Sequence, residues 1–159
     1  MYSNKLIVDI LIYINNNLYK QITINELSDL FNYNKDYIMR TFKKEINMTI
    51  IQYINSKKIY LSLDGVKSNM SILRVSLDCG FSSQEYFCEI FHSIIGVSPS
   101  KYKKFSKLGN NVSNDEYLLI TKNIIDLNYK FNKIDEYIKN VPIDSTPRVL
   151  SIFKEKTPF

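Results

Sequence analysis

Apolar residues recur along most of the chain with the 3.6-residue period of an α-helix. Leu6, Ile7, Ile10, Leu11, Ile14 and Leu18 line one side of a first amphipathic helix, which is expected to lie across and brace the helices after it. Thr23 with Glu26 three residues on makes a capping box, and the helix it opens turns Ile24, Leu27, Leu30 and Phe31 inward. Asn32, a residue that tolerates the left-handed region, closes that helix. Asn34 caps the next, in which Ile38, Phe42 and Ile46 form the buried stripe. Lys35, Asp36, Met39, Arg40 and Lys43 are left facing outward.

A second capping box, Thr49 to Gln52, opens a longer helix with Ile50, Ile54 and Leu61 available for packing and an end near Gly65. About 16 residues of helix span roughly 24 Å, enough to hold two small helical units at a fixed separation. Ser71–Cys79 reads as a short helix with Ile72, Val75 and Cys79 on one side. Gly80 permits a turn with positive φ, and Ser82 with Glu85 is a capping box for the helix after it. There Phe87, Phe91 and Ile94/Ile95 form the inner stripe, while Gln84, Glu85, Cys88, Glu89 and His92 point the other way. Ser98 and Pro99 start a closing helix that carries Lys101, Tyr102, Lys103 and Lys104.

The two short-helix pairs echo each other. Leu27-Ser28 corresponds to Val75-Ser76, Tyr37-Ile38 to Tyr86-Phe87 and Phe42 to Phe91, with one extra residue in the second turn. Two short helices about a tight turn, the second with a free polar face, form the helix-turn-helix pattern of DNA readers. In this register Lys35 matches Gln84, Asp36 matches Glu85, Met39 matches Cys88 and Arg40 matches Glu89.

Beyond Ser106 the run from Leu108 to Asp115 is a linker by composition. Tyr117, Ile120, Ile124, Leu127, Phe131, Ile134 and Ile138 then alternate spacings of three and four, the signature of a two-position heptad seam. Such a seam pairs either with a second subunit or with the chain's own helices. Pro142 stops the helix, and Arg148–Phe153 is a short strand or an apolar docking segment. The expected organisation is an all-α fold: two helix-turn-helix subdomains joined by a long helix over residues 1–105, a linker over 106–116, and a helical extension over 117–159. The extension is a candidate dimerisation segment through Ile120, Ile124, Leu127, Phe131, Ile134 and Ile138.

Composition narrows the chemistry. The 159 residues carry a formal charge of +5 and a pI near 9.0, which suits a nucleic-acid partner. Cys79, Cys88 and the single His92 match no zinc spacing or disulfide framework, so no metal or cofactor is expected. No Gly-rich phosphate loop or catalytic trio is present, which argues against an enzyme. With no signal-peptide pattern and no apolar run of about 20 residues, the expected location is the cytoplasm, away from any membrane.

The wording GFSSQEYFCEIF followed by GVSPSKY resembles the C-terminal signature of the AraC/XylS family of bacterial transcription regulators, and the likeness covers Leu6 to about Phe105. The resemblance implies a seven-helix domain whose third and sixth helices enter successive major-groove segments, about 34 Å apart on one face of the duplex. Carried over by position, the base-facing places fall on Lys35, Asp36, Met39, Arg40, Gln84, Glu85, Cys88 and Glu89. Arg40 is the leading one, because a guanidinium bonds guanine O6 and N7 together. Asn34, Lys43, Lys44, Lys57, Lys58, Ser83 and His92 are the phosphate candidates. Double-stranded DNA is the implied partner, with RNA polymerase recruited or positioned at a promoter; the C-terminal seam lies outside the resemblance, and of its two pairings self-association into a homodimer is the favoured expectation. Family members usually carry basic or polar groups where Glu89 and His92 stand, so the second reader is unusually acidic. Glu85 is either the partner of the Ser82 cap or a base contact, and Glu89 either accepts from a cytosine amino group or weakens binding. Members often place a sensing or dimerisation domain N-terminally; here the first helix opens the chain, and about fifty C-terminal residues are few for an enclosed ligand pocket. The competing function is a helix-turn-helix scaffold that has lost DNA and modulates another regulator.

Overall fold

Residues 4–108 and 113–140 are described in the computed structural model, and they form eight α-helices with no strand among them. In chain order these are α1 (Lys5–Asn16), α2 (Ile24–Phe31), α3 (Lys35–Ile46), α4 (Ile50–Lys67), α5 (Ile72–Asp78), α6 (Gln84–Ile95), α7 (Pro99–Leu108) and α8 (Asn114–Lys139). They gather into two units: residues 4–18, 22–52 and 131–140 in the first, residues 19–21 and 53–130 in the second. The partition differs from the sequence expectation of a reading domain, a linker and a separate tail. Helix α7 runs on to Leu108, and Ser113 Oγ accepts from the Glu116 N–H to start α8 at Asn114, so the expected linker shrinks from both ends. Helix α8 is not an appendage, because its turns belong to the packing of both units. Pro142 and the Arg148–Phe153 segment lie outside the described residues.

In the first unit α1 is buried on more than one stripe: Val8, Asp9 and Tyr13 join the predicted Leu6, Ile7, Ile10, Leu11 and Ile14. The Tyr13 hydroxyl donates to Glu26 Oε1 at 2.7 Å, tying α1 to the first turn of α2. At the cap, Thr23 Oγ1 accepts from the Glu26 N–H at 3.1 Å. Leu27, Phe31, Ile38 and Phe42 complete the core, with Phe31 edge-on to Tyr13 at 6.2 Å. From α8, Phe131 and Ile134 are buried, and the Tyr137 hydroxyl accepts from the Asn4 N–H at 2.8 Å and donates to Glu45 at 3.3 Å. Burial, more than the neighbouring Glu45 charge, pushes the Tyr137 hydroxyl up from its usual range.

In the second unit α4 passes straight through Gly65 to Lys67. A Cβ on Gly65 would stand 3.3 Å from the Val75 side chain, so glycine here allows α5 to approach closely rather than ending the helix. The buried face of α4 is Tyr53, Ile54, Ile59, Leu63 and Val66, whereas Leu61, expected to pack, is 56% exposed. Phe81, Phe87, Phe91 and Tyr102 form a continuous row of rings with successive centroids 5.2, 5.7 and 5.7 Å apart. Helix α8 closes this core with Ile120 and Leu127, and its Asn123 amide donates to the Ile95 carbonyl at the end of α6 at 2.9 Å.

Of the predicted seam, Ile120, Leu127, Phe131 and Ile134 are buried, Ile124 and Ile138 half-buried, and Tyr117 exposed. The periodicity reported a face that must be covered; the covering surface is the chain's own helices, and a second subunit is not needed to satisfy it.

Candidate nucleic-acid interface

Both helix-turn-helix pairs are built from the same local decisions. The first turns through Asn32 at φ 58°, the second through Gly80 at φ 81°. Each second helix ends on another left-handed residue, Asn47 at φ 64° and Gly96 at φ 103°. The buried stripes superimpose in sequence register: Ile38, Phe42 and Ile46 in α3, Phe87, Phe91 and Ile95 in α6. The correspondence also runs one helix further than the sequence register suggested. Thr49 caps α4 and Ser98 caps α7, and Tyr53 and Tyr102 are each fully buried four residues later.

In α3 the Asn34 side chain accepts from the Asp36 N–H at 2.8 Å, so this phosphate candidate is occupied by capping. Lys35, Asp36, Met39, Arg40, Lys43 and Lys44 are all exposed on the free face. Arg40 Nε reaches back to the Asp36 carbonyl at 3.3 Å, which steadies the stem of the side chain on its own helix. Tyr37, also exposed, stacks on Tyr33 with centroids 5.4 Å apart and planes 16° from parallel. Four cations (Lys35, Arg40, Lys43, Lys44) against two carboxylates (Asp36, Glu45) give α3 a net charge of +2.

In α6 the cap is Ser83, not Ser82: Ser83 Oγ accepts from the Tyr86 N–H at 3.1 Å. Glu85 therefore sits a position too early to complete a capping box, and it is exposed. Glu89 and His92 are exposed beside it, while Ser83, Gln84 and Cys88 are half-buried. Burial and then the Glu85 carboxylate push the Cys88 thiol up, which disfavours the thiolate. With Glu85 and Glu89 and no Lys or Arg, α6 carries −2 when His92 is neutral.

Helix α4 departs furthest from the sequence expectation. Lys57 is half-buried and Lys58 is only 4% exposed, with its ammonium turned to the Gly80 carbonyl at 2.9 Å and the Lys20 carbonyl at 3.4 Å. Lys58 is thus no phosphate contact. Desolvation lowers its pKa and raises that of Cys79, the neighbouring thiol. Two features carried no sequence signal for a site. Gln21 Nε2 donates to the same Gly80 carbonyl at 2.7 Å, and Ser98, Ser100, Lys101 and Lys104 line an open pocket of about 480 Å³ at the start of α7. No periodic pattern marks Gln21; the Ser-Pro-Ser-Lys run did signal the helix start, and Lys101 there is held by Glu116 at 2.6 Å.

Comparison with known proteins points the same way. Residues 27–104 match the family model described as a helix-turn-helix domain. An uncharacterised response regulatory protein of Staphylococcus epidermidis is 31% identical over 106 residues, 67% of this chain and 42% of that protein. The HTH-type transcriptional activator AarP of Providencia stuartii is 27% identical over 122 residues, 76% of this chain and 87% of that protein. The C-terminal domain of AraT, a response regulator from Geobacillus stearothermophilus, has the same fold, with a TM-score of 0.60 at 20% identity over 68% of this chain and 92% of that one. The chain spans 42% of the length of the staphylococcal relative it matches. With two helix-turn-helix pairs in one register and relatives of this kind, residues 27–104 are a helix-turn-helix domain of the AraC/XylS type.

Proposed function

We propose that this chain is a sequence-specific, DNA-binding transcription regulator in which α3 and α6 each present a polar face to the major groove of double-stranded DNA. The observation that carries it is the duplicated, capped second helix whose inner stripe is fully buried and whose outer face is left to polar side chains. Base readout falls to Lys35, Met39 and Arg40 on α3, with Asp36 beside them, and to Gln84, Glu85, Cys88 and Glu89 on α6. Lys43, Lys44 and His92 are the exposed groups suited to phosphates, and Asn34 and Ser83 act there through the helix ends they cap.

One chain carries both readers, so a single subunit suffices for a site of two short boxes, and α8 serves as internal packing. The chain contributes no bond-making chemistry of its own in this reading; it acts by recruiting or positioning RNA polymerase in the cytoplasm. No helix among the described residues is long and apolar enough to cross a membrane.

A mobility-shift titration at graded salt tests the function. Binding that weakens steeply and linearly in log–log form as salt rises is expected from phosphate contacts. Absence of binding at low salt would favour the protein-interaction scaffold instead.

A further inference from the structure

The buried ammonium of Lys58 stands where the second helix-turn-helix changes direction. Gly80 holds φ 81°, and its carbonyl receives two side-chain donors, Lys58 Nζ at 2.9 Å and Gln21 Nε2 at 2.7 Å. The same Nζ lies 5.5 Å from the centroid of the Phe81 ring. Phe81 is itself buried, with its ring 5.2 Å from Phe87 and 5.9 Å from Tyr86, both near the start of α6. One turn before Lys58 on α4, the Asn55 amide donates to the Tyr86 hydroxyl at 3.1 Å. Helix α4 therefore grips the Gly80–Phe81 turn and the beginning of α6 at two points, and the polar residues Gln84, Glu85 and Cys88 ride on that stretch.

Burying a charge is a poor way to gain stability, since an apolar side chain of similar shape avoids the desolvation cost. What a buried, fully bonded charge does supply is register, because its partners must sit within hydrogen-bond reach. We propose that Lys58 is a positioning residue for base readout by α6: its ammonium fixes the Gly80–Phe81 turn and thereby the angle at which Gln84, Glu85 and Cys88 meet DNA, without touching DNA itself. This rests on the DNA-reading function proposed above.

The test uses the full chain and Lys58→Met, in which the side-chain stem is kept and the ammonium removed. A duplex selected from a random pool by the wild-type protein is compared with versions scrambled under α3 or under α6. In Lys58→Met the penalty for scrambling under α6 should shrink by about tenfold, the scale of one lost base contact. The penalty under α3 and the salt slope should stay as in wild type. A salt slope lower by about one with both penalties intact would make Lys58 a phosphate contact and overturn the proposal. Equal losses under both helices would reduce it to general destabilisation and overturn it too. A second arm needs no DNA: amide exchange at Phe81 and over the start of α6 should quicken in Lys58→Met while α3 is unchanged, and unchanged exchange at α6 would refute the pin. Should Lys58→Met fail to fold, Gln21→Leu removes the other donor from an exposed position and should shift both readouts the same way by less. A wild-type protein that selects no sequence would count against the DNA function, and the exchange arm would still judge the pin.

Discussion

The two reading helices follow one backbone plan and carry opposite charge: α3 is at +2 and α6 at −2. Their anchoring differs as well. The second unit holds its turn with two side-chain donors on one carbonyl, a row of four aromatic rings, and an α8 amide on the last turn of α6. The first combines aliphatic and aromatic packing, with Phe31 edge-on to Tyr13, the Tyr13 to Glu26 bond, and the Tyr137 hydroxyl shared between Asn4 and Glu45. An acidic helix gains nothing from long-range attraction to phosphates, so it contributes only if its few short-range contacts are well aimed. Under the proposed function, this difference assigns affinity to α3 and discrimination to α6, an assignment the experiments below can break.

The largest expected effect comes from removing what both units share. Truncation after Leu108 strips the buried Ile120, Leu127, Phe131 and Ile134 from the two cores. At about 1.5–3 kcal/mol for each buried apolar side chain, the loss rivals the whole stability of an ordinary domain. The truncated chain should lose its cooperative thermal transition, seen by circular dichroism; retention of a sharp transition would return the seam to a second subunit. Sedimentation of the full chain, expected to be monomeric, checks the same point from the other side.

Core truncations come next and test whether the units are energetically separate. Phe42→Ala and Phe91→Ala should each cost about 3–5 kcal/mol. Hydrogen exchange should rise mainly in the unit that holds the substitution, and uniform loss of protection would mean that the pair unfolds as one. Smaller again, Arg40→Ala should cost about 1–3 kcal/mol on the selected duplex and relax preference at one guanine. If random DNA suffers equally in a competition titration, Arg40 contacts phosphate only.

The smallest effect is electrostatic. The hydrogen bond from Lys101 is the main cause that holds the Glu116 carboxyl below its ordinary 4.5. A folded-state pKa below the unfolded one contributes stability that is present above the unfolded value and lost as pH falls through the folded value. Melting temperatures followed from pH 6 to about pH 3 should therefore fall slightly less for Glu116→Gln than for wild type, because an exposed pair is worth little.

How far the sequence could be read depends on what each signal measures. Caps and left-handed closures are local, and Asn32, Asn34, the Thr49–Gln52 box and Gly80 behave as their neighbours dictate. Ser82 and Ser83 are adjacent and chemically alike, and the choice between them is made by tertiary geometry around Phe81, whose N–H is spent on the Ser76 carbonyl. Helical period counts Lys58 as polar and hence outward, yet two carbonyls from distant turns made an inward position tolerable. The seam announced burial at Ile120, Leu127, Phe131 and Ile134 but not at Tyr117, and no periodicity states which chain does the burying. The outward positions of α3 and α6, where base contacts are proposed, were legible because they are whatever a buried stripe leaves over.

The discontinuity of the first unit bears on how the protein is made. Its residues 4–18 and 22–52 are completed by residues 131–140. About 80 residues separate Gln52 from Phe131, so a ribosome adding 5–20 residues per second exposes α3 for roughly 4–16 s before its last packing partner is synthesised. The second unit closes over a shorter stretch of chain, with α4 to the middle of α8 emerging in sequence. Of the two readers, the basic one is translated first and finished last, which makes it the place where a nascent chain is most open to a chaperone or a protease.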